Sequence, residues 1–162
     1  MNLTLVISSL TCGGAERVVS MMANYWADAE YKVTVLTFDD KNYQHYHISE
    51  SIQWYALNIS SQSKSWIDGL INNLKRIHVL RKFILQSKPD CVISFLFSTN
   101  ILVLLATRFL SCKVIISERN YPKYDKENRK TWFWLRKTLY PLADHLVVQT
   151  DSIKEIFRSY NR

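Results

Sequence analysis

The chain has 162 residues, 48% hydrophobic and 22% charged, with only three glycines and three prolines; this fits one globular domain and excludes disordered, collagen-like and low-complexity classes. Net charge is +7, but residues 1–60 hold three Lys/Arg against six Asp/Glu, while residues 61–162 hold eighteen against eight. The basic surplus of the second part points to an acidic partner: phosphates, an anionic membrane surface or nucleic acid.

Leu3–Ile7 is a short run without a polar face, as in a strand covered on both sides. Ser8 to Gly14 reads as a turn, and from Ala15 the recurrence of Val18, Val19, Met22 and Trp26 is helical. Lys32–Thr37 is a second strand, 39–50 a polar loop, and Ile52–Leu57 a third strand. Trp66 to Gln86 reads as a long helix with Ile67, Leu70, Ile71, Leu74, Ile77, Ile84 and Leu85 on one arc, ended by Pro89. Cys91–Phe95 is a strand, and Asn100–Arg108 a helix capped from Ser98 or Thr99. Lys113–Ser117 is a strand, Glu127–Tyr140 a helix stopped by Pro141, Asp144–Gln149 a strand, and Asp151 opens a last helix. Strands alternating with helices predict an α/β fold, a doubly wound Rossmann-like parallel sheet of about six strands.

In such sheets ligands bind beyond the carboxyl ends of the strands. Four polar or glycine-containing loops lie there: 8–14, 96–100, 118–122 and 150–152. Gly13-Gly14 at the mouth of the first helix allows close backbone approach to a phosphate, or else forms a plain strand-to-helix turn. Glu118, Arg119 and Asn120 put an acid, a guanidinium and an amide at a strand end, where they suit a polyol or a phosphate; a salt-bridged loop is the plainer alternative. Neither the dinucleotide fingerprint G-x-G-x-x-G nor a P-loop occurs, which disfavours a dehydrogenase and an NTPase.

Other chemistries find little support. His45, His47, His78 and His145 do not group into a ligand set, so no metal site is expected. Cys12, Cys91 and Cys112 are too few for a disulfide framework and too widely spaced for a metal knuckle; they are expected as reduced thiols in a cytosolic protein. No signal peptide is seen, and the uncharged stretch Cys91–Thr107 is broken by Ser94, Ser98, Thr99 and Asn100, so any membrane contact is expected to be peripheral. No Lys/Arg run exceeds two and no nucleic-acid-binding pattern is present, so no nucleic-acid partner is expected.

In order along the chain, LTCGGAERVVS, KVTVLTF, KPDCVISFLFSTNILVLLA, VIISERNYP, LRKTLYPLAD and LVVQTDSIKE resemble the N-terminal domain of bacterial family 4 glycosyltransferases of the GT-B fold. The likeness covers essentially the whole chain and is nearest to enzymes that extend lipid-linked oligosaccharides. It implies an acceptor-binding half that works with a second domain holding a nucleotide-sugar donor, without metal or cofactor; the alternative is a non-catalytic glycolipid-binding or membrane-recruiting subunit of a split transferase. By position, Gly13 and Gly14 match the loop that approaches the donor diphosphate, and Arg119, with Glu118 before it, stands where the family often has a histidine near the donor sugar. Asn100 and Asn120, with Lys75, Arg76, Arg81 and Lys82 of the long helix, are the residues expected to meet a polyprenyl-pyrophosphate-linked acceptor. The turn usually written Gly-His in the family is Glu30-Tyr31 here, so the glycine helix stop is lost. The family's donor-site E-x7-E motif is also lacking, so the 162-residue chain is expected to be half of an enzyme and inactive alone.

On the helix predicted over 127–140, Asn128, Trp132, Leu135 and Leu139 form one face at 100° per residue. Arg129, Phe133, Arg136, Lys137 and Tyr140 form another, with Lys130 and Trp134 beside it. Interleaved basic and aromatic side chains suit an anionic membrane surface, so Arg129, Phe133, Arg136 and Lys137 are the expected membrane face of a peripheral protein on the cytoplasmic side; a solvated basic face with aromatics packed beneath is the plainer alternative.

Overall fold

The computed structural model describes residues 1–40, 44–60, 65–119 and 129–158. Six strands are present: β1 (Asn2–Ile7), β2 (Lys32–Thr37), β3 (Gln53–Ala56), β4 (Cys91–Phe95), β5 (Lys113–Glu118) and β6 (His145–Val148). The helices are α1 (Gly14–Asp28), α2 (Trp66–Ser87), α3 (Phe97–Ala106), α4 (Arg129–Leu139) and α5 (Asp151–Arg158), with a 3-10 turn at Tyr140–Leu142 after α4.

The strands form one sheet in the order β3-β2-β1-β4-β5-β6. Every pair is parallel, with Leu3 opposite both Val33 and Cys91, Ile93 opposite Ile115, and Glu118 opposite Val148. Strands covered on both faces must be apolar on both, which accounts for the unbroken runs LTLVI, KVTVLT and CVISF. Two buried clusters separate the faces. Leu5, Ile7, Val35 and Ile93 pack with Val19 and Ala23 of α1 on one side. Val6, Leu36, Val92 and Ile116 pack with α2, α3 and α5 on the other. The chain is therefore an α/β doubly wound sheet, as its alternation of elements predicts.

Two helix ends differ from the sequence expectation. Helix α3 begins at Phe97, earlier than expected, and its N-cap is Leu96 rather than Ser98 or Thr99. The amide of Leu96 donates to the Ser117 carbonyl at 3.1 Å, so the sheet ladder reaches Leu96 and the helix must start immediately beyond it. Helix α2 has the predicted apolar arc, but only its second half is covered. Leu80 and Ile84 are fully buried, whereas Ile67, Leu70, Ile71 and Leu74 are 45–59% exposed.

At the end of α1 the amide of Glu30 donates to the Ala27 carbonyl and that of Tyr31 to the Trp26 carbonyl. This bond pair is a Schellman stop, and it puts Glu30 in the left-handed region at φ 61°. A side chain there costs about 1 kcal/mol that glycine avoids. Glu30→Gly is expected to raise the thermal midpoint by roughly 2–4 °C, as checked by calorimetry.

At the amino end of the sheet, Asp144 accepts from the Val114 amide and from Lys113 Nζ, each at 2.8 Å. The Lys113 hydrogen bond, then the Val114 amide, hold its carboxyl below the ordinary range. A carboxyl depressed by folding stabilises above its unfolded value and loses that contribution as pH falls through its folded value. Asp144→Asn should therefore lower the melting point near neutrality and flatten its decline in acid, as seen in melts recorded from pH 7 to pH 3.

Candidate functional site: the carboxyl rim of the sheet

In this strand order the connections diverge between β1 and β4, and the crevice at that switch point is where such sheets take ligands. The loop from Ser8 to Gly13 forms one wall. The Ser8 carbonyl accepts from the Phe38 and Asp39 amides at 2.9 and 3.1 Å, and Ser9 Oγ lies 3.1 Å from Thr11 Oγ1. Gly13 is the N-cap of α1, with no side chain capping the first turn.

The two glycines differ. A Cβ on Gly13 would collide with the Glu16 carboxylate, which folds back beside Gly13. A Cβ on Gly14 would meet nothing within 4 Å. Gly13 therefore makes room for Glu16, while Gly14 leaves open the space in front of the helix N-terminus. Neither glycine has a positive φ.

The opposite wall is the turn from β4 into α3. Leu96 stands at φ 73°, ψ 144°, a conformation costly for a residue with a side chain. Asn100 holds this turn from within: its Oδ1 accepts from Ser94 Oγ at 2.7 Å and its Nδ2 donates to the Ser117 carbonyl at 3.1 Å. Asn100 is fully buried, with its amide engaged inside the domain. It is an internal brace, because an amide at this point can satisfy a strand carbonyl and a serine at once.

Glu118 ends β5 and is also fully buried. Its Oε2 accepts from the Tyr140 hydroxyl at 2.5 Å and from Arg136 Nε at 3.3 Å. The guanidinium carbon of Arg136 lies 4.2 Å from the centroid of the Phe97 ring. Burial first, and then the charge of Glu118, push the Tyr140 phenol far above its usual range, so it remains a proton donor at neutral pH. The carboxylate of Glu118 is thus engaged inside the domain. Arg119, the next residue, is half-exposed on the rim. Asn120 lies outside the described residues.

The expected membrane face of α4 divides: Arg136 turns inward, while Phe133 and Lys137 stay at the surface. Arg136 is 3% exposed, and Tyr140 is buried beside it. Both turn inward because the buried carboxylate of Glu118 requires donors. Phe133, Trp134 and Lys137 remain exposed; Arg129 is the first residue of α4. On α2, Lys75 and Lys82 are exposed. Arg76 Nε donates to the Ile59 carbonyl at 2.9 Å, and Arg81 Nη1 donates to the Ala106 and Arg108 carbonyls at 2.7 and 2.9 Å. Arg81 therefore caps the end of α3.

Sequence reasoning missed Ser94, Tyr140 and the inward turn of Arg136. The available signal was Glu118 itself, since a carboxylate closing the apolar strand KVIISE needs cationic or hydroxyl partners nearby. Arg136 and Tyr140, four residues apart, offer both from one helix face. A cleft of about 770 Å³ lies away from the switch point, along β6, with Tyr140, Leu146, Val148 and Phe157 in its wall and Lys137, Lys154 and Arg158 on its lining. Cys91 and Cys112 are free thiols that burial pushes upward, which keeps them protonated and unreactive at neutral pH. Among the described residues no helix is long and apolar enough to cross a membrane.

Known proteins match this arrangement. The chain is 32% identical, over 99% of its length, to an N-acetylgalactosaminyltransferase of Campylobacter jejuni. That enzyme's full name is GalNAc-alpha-(1->4)-GalNAc-alpha-(1->3)-diNAcBac-PP-undecaprenol alpha-1,4-N-acetyl-D-galactosaminyltransferase. The chain spans 43% of that relative's length. Among solved structures, a sucrose-phosphate synthase from Thermosynechococcus elongatus matches with a TM-score of 0.76 at 12% identity, over 97% of this chain and 44% of that one. The lipopolysaccharide outer core galactosyltransferase WaaB matches with a TM-score of 0.69 at 13% identity, over 99% and 42%. The sheet is one half of a GT-B architecture. The family model of glycosyltransferase family 4 matches residues 12–162, and the chain belongs to that family.

Proposed function

We propose that this chain is the acceptor-binding half of a glycosyltransferase that moves a hexosyl or N-acetylhexosaminyl unit from a nucleotide-sugar to a polyprenyl-pyrophosphate-linked glycan at a membrane surface. The observation that carries the reading is the 32% identity, sustained over 99% of the chain, with a transferase named for an undecaprenol-linked acceptor. In this reading the open mouth of α1 at Gly14 faces the donor diphosphate, which a second domain holds. Arg119 and the rim beside it face the acceptor.

Calorimetry on the isolated chain tests the assignment. Binding of an undecaprenyl-pyrophosphate-linked GalNAc acceptor is expected, without micromolar binding of UDP-GalNAc. Micromolar affinity for the nucleotide-sugar alone would reverse the assignment of the two halves.

The membrane contact we favour lies on α2, because α4 loses Arg136 to the interior. Ile67, Leu70, Ile71 and Leu74 recur at helical spacing, are exposed together, and have Lys75 beside them. Submerging each half-exposed leucine contributes about 1 kcal/mol. Replacing Leu70 and Leu74 together by serine should weaken co-sedimentation with anionic vesicles by at least about tenfold. The same assay on Lys137→Gln reads the contribution of α4, and an effect there equal to that of the α2 pair would return the membrane face to α4.

A further inference from the structure

Glu118 is the last residue of β5 and Arg119 the first to leave it. The backbone at this exit is gripped from two sides. On one side the Ser117 carbonyl accepts from both the Leu96 amide and Asn100 Nδ2. On the other, Glu118 Oε2 accepts from Tyr140 and Arg136. Arg136 rests on the ring of Phe97 from α3, and Tyr140 stacks on Phe157 of α5 at 5.6 Å and 24°. Elements β4, β5, α3, α4 and α5 thus meet at the two residues immediately before Arg119.

Stability alone is a poor reason for such a grouping. A buried ion pair is at best comparable in stability to well-packed apolar residues of the same volume. What it adds is direction, because Arg136 of α4 and Tyr140 just after it both reach the same carboxylate oxygen at the end of β5.

We infer that Glu118, Arg136 and Tyr140 are positioning residues that fix the direction in which β5 presents Arg119 to the rim, so that ligand binding through Arg119 depends on side chains that do not touch the ligand. The consequence for binding rests on the acceptor reading above; the positioning of Arg119 does not.

The test uses the 162-residue chain with Tyr140→Phe, which retains shape and packing and leaves the Glu118–Arg136 ion pair in place. Three quantities are measured: the thermal midpoint, amide hydrogen exchange at Ser117–Arg119, and affinity for phosphatidylcholine vesicles carrying undecaprenyl-pyrophosphate-linked GalNAc. With midpoints kept within about 3 °C, exchange at Ser117–Arg119 should accelerate by about tenfold or more relative to β1. Acceptor affinity should fall by about tenfold, and Tyr140→Phe should cost almost nothing once Arg119 is already alanine. That last result separates positioning from general support, which would give additive losses. Unchanged exchange at Arg119, or additive losses, would overturn the inference. If the wild-type chain binds no acceptor, the acceptor reading fails and the exchange measurement alone decides the positioning.

Discussion

Gly14→Val should abolish sugar transfer by a transferase containing this domain while leaving the domain folded. Nothing in the structure resists the new side chain, because a Cβ at Gly14 meets no atom within 4 Å. Valine is also less costly than glycine inside a helix, so the thermal midpoint should hold or rise slightly. The open space in front of Gly14 is the space that the first-turn amides address, and a diphosphate needs it empty. Loss of one well-aimed donor typically costs about 100-fold or more in rate, and the valine would obstruct several. The expected signature is a fall of at least about 100-fold in kcat/KM for the donor, with acceptor binding to the isolated domain unchanged. Gly13→Ala should act differently, by displacing the Glu16 carboxylate from its place beside Gly13. Unaltered donor kinetics in Gly14→Val would reduce the glycine pair to a turn.

Glu118→Ala should produce the largest loss of stability. It leaves the Arg136 guanidinium, 3% exposed, without the carboxylate that balances it. Removing one partner of a buried ion pair costs about 3–5 kcal/mol. For a domain of this size each kcal/mol lowers the midpoint by about 2–4 °C, so a drop of roughly 6–20 °C is expected in a calorimetric scan. The double variant Glu118→Ala with Arg136→Met should recover a large part of the loss, since no uncompensated charge then remains. If the double variant were as unstable as the sum of the single ones, the pair would not be coupled as the geometry implies.

The sheet was legible because central parallel strands covered on both faces leave short apolar runs, and the edge strands β3 and β6, half-exposed, showed through the alternation of strands with helices. The glycine loop was legible by its position after β1. What failed was the facing of helices. A 100° periodicity shows which residues share an arc but not what covers it. The arc of α2 was read whole, although the domain covers only the turns near Leu80 and Ile84. On α4, charge was taken as a sign of exposure, the usual rule for arginine. Arg136 breaks that rule because Glu118, 18 residues earlier, is buried and needs a cation. The burial of Asn100 was not legible for a related reason: its partners Ser94 and Ser117 lie on two different strands, and only the sheet brings them together.

The central place of β1 has a consequence for how the protein is made. Its Asn2 amide finds its partner in the Asp90 carboxylate, 88 residues further on. Translation at about 5–20 residues per second places roughly 4–18 s between the emergence of the two. During that interval β1, β2 and β3 can pair, but the β4 side of β1 remains an open edge on a strand apolar on both faces. Such an edge can recruit a strand from another nascent chain. Stalled ribosomes carrying residues 1–60 should therefore bind holdase chaperones that release once β4 has cleared the exit tunnel.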